Sequence, residues 1–361
     1  AVAPLMNCGI SGPVTFRINS GIYNEAINLS GSIPGASITN KVLFTSTAGH
    51  ADSVQIYVAG TTCVLKEISF VYFSDITLGT TANTGEKAIV FDGNCSNIEF
   101  YRCNIYAYTN TTAKSCIPVS YSNSIPGKCL TNVKFIKNNI SGGFVNMLFN
   151  TTQSVGEKFM GSVTIDSNVM TEGYRGGIAR TLENINSYYM YFPSISYNTI
   201  IGRATSSSYQ YGICLGSVGT NPTSYGQYDV VDKIVGNKIK LQITSTYGCG
   251  INLSTYQNYY SPTGIAGAGT PCLVANNEII HNSNSVSSYG IYVYYSKANI
   301  INNSIYLKNT SSSYYLYGIW VYNSSTSYGP MTIKNNNIVV IPQNADYGHP
   351  IYFNDGASFL T

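Results

Sequence analysis

The sequence predicts an all-β chain, a right-handed parallel β-helix (solenoid) with an N-terminal cap, and three observations predict it. The first is a recurring phrase: Asn138-Asn139-Ile140, Asn168-Val169-Met170, Asn198-Thr199-Ile200, Asn237-Lys238-Ile239, Asn277-Glu278-Ile279, Asn303-Ser304-Ile305 and Asn336-Asn337-Ile338. Two earlier stretches, Ser74-Asp75-Ile76 and Cys103-Asn104-Ile105, keep the frame with another residue in first place. The second is spacing: from 74 to 336 the first positions lie 29, 35, 30, 30, 39, 40, 26 and 33 residues apart, the range of stacked repeats. The third is the short strand-like run before each copy, such as Val133-Lys134-Phe135-Ile136 or Met331-Thr332-Ile333. The spacing is too irregular for a helical repeat and the strands too short for propeller blades. One coil per repeat, with loops of variable length, fits both. Asn at one point of every coil has two physical uses: it tolerates the left-handed backbone of a tight bend, and its amide can bond to the Asn of the coil above and below.

The elements follow in order. Residues 1–10 read as a short amphipathic helix closing at Gly9, the cap that keeps the first coil's edges from being left open. Gly12-Pro13-Val14-Thr15-Phe16-Arg17-Ile18 alternates as a strand, Gly21 to Leu29 reads as turn and strand, and Asn40-Lys41-Val42-Leu43-Phe44 and Val54-Gln55-Ile56-Tyr57-Val58 follow as strands. Residues 1–60 form the cap and first coils, and 61–361 one continuous run of coils. In that run a second strand recurs, as Gly177-Ile178-Ala179-Arg180, Gly212-Ile213-Cys214-Leu215, Gly250-Ile251-Asn252-Leu253, Gly290-Ile291-Tyr292-Val293, Gly318-Ile319-Trp320-Val321 and Pro350-Ile351-Tyr352-Phe353. Strand side chains alternate faces, so the Ile and the residue two later form an aliphatic column inside. Arg180 breaks that rule: either the register slips there, or Arg180 is held by something specific.

Composition narrows the function. Charged residues are only 10% of the chain and the net charge is +3 with no basic cluster, which gives no expectation of nucleic acid. No apolar run approaches the ~20 residues of a membrane span. With nine Cys, three His and no CxxC, neither a metal site nor a cofactor is expected. Cys63, Cys95 and Cys129 share one frame at spacings of 32 and 34, each a few residues before a strand. Stacked in that way they either bridge or fill small gaps in the core, and buried fillers are the expectation.

The stretches Gly12-Pro13-Val14-Thr15-Phe16-Arg17-Ile18 through Leu29, and Ser32-Ile33-Pro34-Gly35 through Gly49, resemble the opening of right-handed parallel β-helix domains in secreted and cell-surface proteins of Bacteroidota, of the pectate-lyase-like superfamily. The likeness covers roughly residues 5–60; beyond them it rests on the repeat. It implies a secreted or cell-surface location, export by the type IX route and a place in a longer multidomain chain, since such proteins usually carry a C-terminal sorting domain not seen here. It implies no single activity, because its members range from adhesins to polysaccharide-degrading enzymes.

Two constellations could carry function. On the second recurring strand, Tyr292, Trp320 and Tyr352, with Tyr294 and Tyr322 two residues further on, point away from the core. Coils about 4.8 Å apart would set these rings in a ladder near the repeat of an extended polysaccharide, whose apolar faces stack on aromatic rings. The other is the densest charged stretch, with Glu172, Arg175, Arg180 and Glu183. A polysaccharide lyase needs a base and a group that neutralises a uronate, and a glycoside hydrolase needs close carboxylates; these four residues are the catalytic candidates. Counted from the ladder position, Asp75 is at +1, Glu99 at −4, Asp166 at −2, Glu172 at +4, Asp232 at −5 and Glu278 at +1, so no neighbouring coils share an acid phase. The expectation is therefore a structural or adhesive module contacting a polysaccharide or a surface protein, with a lyase or hydrolase as the alternative.

Overall fold

In the computed structural model, the residues described are 2–82, 85–123, 128–151, 161–181, 190–205, 209–217, 229–242, 247–254, 269–283, 287–322 and 331–354. They wind into a right-handed parallel β-helix with three faces. The first sheet runs from Val14–Ile18 to Thr332–Lys334, the second from Gly21–Tyr23 to Asn337–Ile341, and the third from Ile27–Ser30 to Gly348–Asn354. Strands three apart in sequence are neighbours in space and pair parallel, as Val14 with Val42, Gly21 with Val54 and Ile27 with Cys63, and the interval becomes four across the short strand Val230–Val231. The predicted cap is the helix Val2–Cys8, ended by Gly9 at φ +73°. It lies against Ile27–Ser30 and buries Leu5.

The interior is a set of columns, one residue per coil. Phe16, Phe44, Phe73, Phe100 and Phe135 stack with centroids 4.8, 5.3, 4.8 and 5.2 Å apart, the coil spacing itself, and aliphatic residues continue the column through Ile165, Ile195, Ile234, Val274 and Ile300. The two sequence phrases interlock here. A Cβ on Gly290 would stand 2.5 Å from Cγ2 of Ile305, and one on Gly250 2.5 Å from Cγ2 of Ile279. The Ile two residues after the ladder Asn thus fills the space left by a Gly one coil earlier at Ile200, Ile239, Ile279, Ile305 and Ile338.

The asparagines form one hydrogen-bonded line. Nδ2 of Asn138 donates to Oδ1 of Asn168 (2.9 Å), and the same bond joins Asn168 to Asn198 (3.0 Å), Asn198 to Asn237 (3.0 Å), Asn237 to Asn277 (2.9 Å), Asn277 to Asn303 (2.9 Å) and Asn303 to Asn336 (2.9 Å). Each Nδ2 also donates to a carbonyl of the preceding coil, such as Phe100 O from Asn138 and Ile165 O from Asn198. The Cys103 N–H donates to Asn138 Oδ1 (2.9 Å), so Cys103 takes the next rung.

Two details of the sequence frame are corrected. Asn104 pairs with Thr77, so the rung before Cys103 is Ile76, not Ser74. Nor does the ladder Asn adopt the left-handed conformation. The residue before it does: Asp75, Arg102, Lys137, Ser167, Tyr197, Gly236, Asn276, Asn302 and Asn335 all have φ between 51° and 69°. Asn is required on the rung for its amide, and the bend is made one residue earlier. Asp75 therefore lies at −1, where it meets Arg102 of the next coil at 2.8 Å.

All nine cysteines are free thiols, and all but Cys8 are buried. Cys63, Cys95 and Cys129 do not share a column: Cys63 is in the third sheet, Cys95 begins a first-sheet strand, and Cys129 precedes one.

Candidate functional site

The outer face of the third sheet carries the predicted aromatics. Ile291 and Val293 point inward, so Tyr292 and Tyr294 point outward, and the pairs Tyr292–Trp320 and Trp320–Tyr352 share one register. The rings stack: Tyr292 on Trp320 at 4.3 Å and 3°, and Tyr294 on Tyr322 at 5.0 Å and 15°. The expectation that this face is open needs correction. Tyr292, Tyr294 and Trp320 are only 6%, 8% and 9% exposed and belong to a second apolar cluster with Tyr211, Cys214 and Cys249. Burial pushes the Tyr292 phenol well above its ordinary pKa, with Tyr289 adding to it. Tyr322 and Tyr352 are half-buried. Stacking also occupies the ring faces, which are the part a sugar would use.

A neighbouring row is more accessible. Tyr289, Tyr317 and His349 share one register, and Tyr247 reaches into the same line. Ring centroids step from Tyr211 to Tyr247 (5.7 Å), Tyr289 (4.9 Å), Tyr317 (5.0 Å) and His349 (5.2 Å). Tyr247, Tyr289, Tyr317 and His349 are half-buried, and Tyr315 beside them is 41% exposed. The Tyr317 phenol is pushed up to about 12, first by burial and then by Tyr352 and Tyr315, so it stays a hydrogen-bond donor at neutral pH. Sequence reasoning missed this row, although its signal is plain: the residues before the last five Gly-Ile or Pro-Ile phrases of the second recurring strand are Tyr211, Cys249, Tyr289, Tyr317 and His349. Where Cys249 leaves a gap, the Tyr247 ring takes the place.

Among the described residues the charged stretch does not converge. Arg180 follows Ala179, which pairs with Leu148 and Cys214, and so falls on the inward column filled elsewhere by Phe149 and Leu215. There its Nε meets Asp229 Oδ2 at 2.7 Å, with both side chains fully buried. Both sequence alternatives hold, because the register also shifts between Ala179 and Thr181. Glu172 is at the surface, at φ +59°. Arg175 lies over the rings of Phe144 (5.0 Å) and Tyr209 (5.4 Å), close to the start of the aromatic row. Glu183 lies outside the described residues. A cation missed from sequence, Arg203, sits 3.9 Å from Glu172 Oε2 and is pinned by donating to the carbonyls of Glu172, Thr111 and Gly143.

Two further acids have local partners: Ser194 Oγ donates to Asp166 (2.7 Å), and the Tyr191 hydroxyl donates to Asp232. Among the described residues no cluster of three or more His, Cys, Asp or Glu has the geometry to hold a metal ion, and no helix is long and apolar enough to cross a membrane.

No family model matches the chain, and no curated protein matches it. Among solved structures it is similar to the pectin methyl esterase of the rice weevil, with a TM-score of 0.39 and 9% identity over 79% of this chain and 76% of that one.

Proposed function

We propose that this chain is a non-catalytic β-helix module of a longer extracellular or cell-surface protein, which holds an extended polysaccharide or a surface protein along the row Tyr247, Tyr289, Tyr317 and His349. The observation that carries this reading is the regular step of that row, one half-buried ring per coil at about 5 Å. With ring faces stacked on each other, the row offers ring edges and the phenol hydroxyls of Tyr289 and Tyr317, while the Tyr247 hydroxyl is buried. Such a surface recognises an extended chain by hydrogen bonds repeated at a fixed pitch, with apolar contact beneath them. Binding is favoured over lyase or hydrolase chemistry because Arg180, one of the four catalytic candidates, is closed in the core with Asp229.

A glycan array probed with the chain and with Tyr289→Ala and Tyr317→Ala tests the reading. Saturable binding to a linear polysaccharide, weakened about tenfold or more by either change, supports it. Product release from acidic polysaccharides, read as unsaturated ends or new reducing ends, with no binding to any array member, overturns it.

A further inference from the structure

We propose that the N-terminal mouth of the solenoid is a second binding site, one that takes an extended peptide strand with a large apolar side chain in the pocket at its centre. Val14–Ile18 and Gly21–Tyr23 are the end strands of their sheets. The Val14 N–H donates to Lys41 O (3.0 Å) and the Thr47 N–H to Ile18 O (2.8 Å), so the even residues face the next coil. Alternate residues of a parallel strand bond to opposite neighbours, and Thr15 and Arg17 therefore turn their backbone N–H and C=O outward, along an edge ready for another strand.

Directly inside this edge the bore opens as a pocket of about 190 Å³, walled by Phe16, Tyr23 and Ala26, floored by Phe44 and Ile56, with the exposed Glu25 at its rim. An apolar cavity of ~150 Å³ holds a benzene ring, so this one has room for a phenylalanine side chain. The cap decides between occupants. The helix Val2–Cys8 lies over the third-sheet strand Ile27–Ser30. A whole further coil, such as the last coil of a second copy, needs all three edges and would meet the helix. A single strand needs only one.

The test uses an acetylated, fluorescein-labelled peptide, Lys-Thr-Phe-Thr-Ile-Thr-Lys, and a control with Ser in place of Phe and Ile. Fluorescence anisotropy reads binding to the full chain and to two variants, with circular dichroism verifying that each is folded. Thr15→Pro removes an outward N–H at an edge position where proline is tolerated, and Ala26→Phe fills the pocket from an exposed position. Saturable binding of the Phe/Ile peptide, loss of binding with Ser, and weakening of about tenfold or more in each variant support the site. If Thr15→Pro fails to fold, Ala26→Phe decides alone. Equal binding of the two peptides, unchanged binding by Ala26→Phe, or no binding up to about 1 mM overturns it. So does self-association in sedimentation velocity that Ala26→Phe abolishes, which would assign the mouth to a second copy. None of these results depends on the aromatic row at the other end.

Discussion

Arg180 and Asp229 form an ion pair inside the apolar bore, Nε to Oδ2 at 2.7 Å, with neither side chain exposed. Asp229 Oδ1 also accepts the Met190 N–H at 2.9 Å. Burial pushes the Asp229 carboxyl up, and the Arg180 guanidinium and the Met190 N–H pull it part of the way back. Such a pair is expensive to break and cheap to replace, because removing one partner strands a charge in a low-dielectric interior.

Asp229→Leu is expected to lower stability by about 3–5 kcal/mol, and Arg180→Leu with Asp229→Leu to recover most of that loss, since Leu at 180 continues the column of Leu215 and Leu253. Denaturant midpoints of the parent, the single and the double variant measure it. A double variant no more stable than the single would mean that the pair specifies the local register instead of merely filling the core.

His281 occupies a column between Leu241 and Leu307. It is fully buried, and neither ring nitrogen has a hydrogen-bond partner among the described residues. Burial lowers its pKa from 6.5 to about 3. The native state therefore holds the neutral ring while the unfolded chain binds a proton below about pH 6.5. Its contribution to stability is complete above that pH and declines as pH falls toward 3, amounting to a loss of about 3 kcal/mol by pH 4. His281→Leu should flatten the stability profile between pH 6.5 and 4, as read by thermal melting across that range. An unchanged slope would refute the assignment.

Asn198 sits mid-ladder. Its Nδ2 donates to Asn237 Oδ1 and Ile165 O, and its Oδ1 accepts from both the N–H and the Nδ2 of Asn168. Asn198→Ala leaves buried donors and acceptors without partners and should cost about 3 kcal/mol or more. Asn336→Ala, at the last, part-buried rung, should cost roughly a third of that. Comparing the two denaturation midpoints checks the order.

Gly290→Ala places a methyl 2.5 Å from both Ile305 Cγ2 and the Gly318 carbonyl oxygen. Because the second contact is with backbone, adjacent coils must separate, and a loss of about 2–3 kcal/mol is expected. Combined with Ile305→Val, which keeps Cγ2, the two losses should add, whereas combined with Ile305→Ala the total should fall short of the sum of the two single losses. Equilibrium unfolding of the parent, the three single and the two double variants resolves the two contacts.

The repeat was legible because a solenoid solves one packing problem at every coil. Asn at 138, 168, 198, 237, 277, 303 and 336 recurs since each amide needs another amide above and below it. The frame failed at Ser74, two residues short of the true rung at Ile76, because the amide is absent there and an apolar side chain keeps the column by packing alone. The row at Tyr289 and Tyr317 was also written in the chain, one residue before a Gly-Ile phrase, but alternation assigns that residue to the inside. Only the crowding at Gly290 and Gly318 shows that the strand departs from alternation there.

By itself the sequence determined the covering helix at the start, and the parallel coil, the asparagine line and the inward aliphatic columns, which are consequences of local geometry repeated from coil to coil. Tertiary structure alone decided which outward rings are open, as with Trp320 buried and Tyr315 exposed, and where Arg180 finds its counter-charge, 49 residues away in Asp229. The reason is physical. Periodicity tells which face of a strand a residue occupies, whereas its access to water and its partner depend on chain segments that do not repeat.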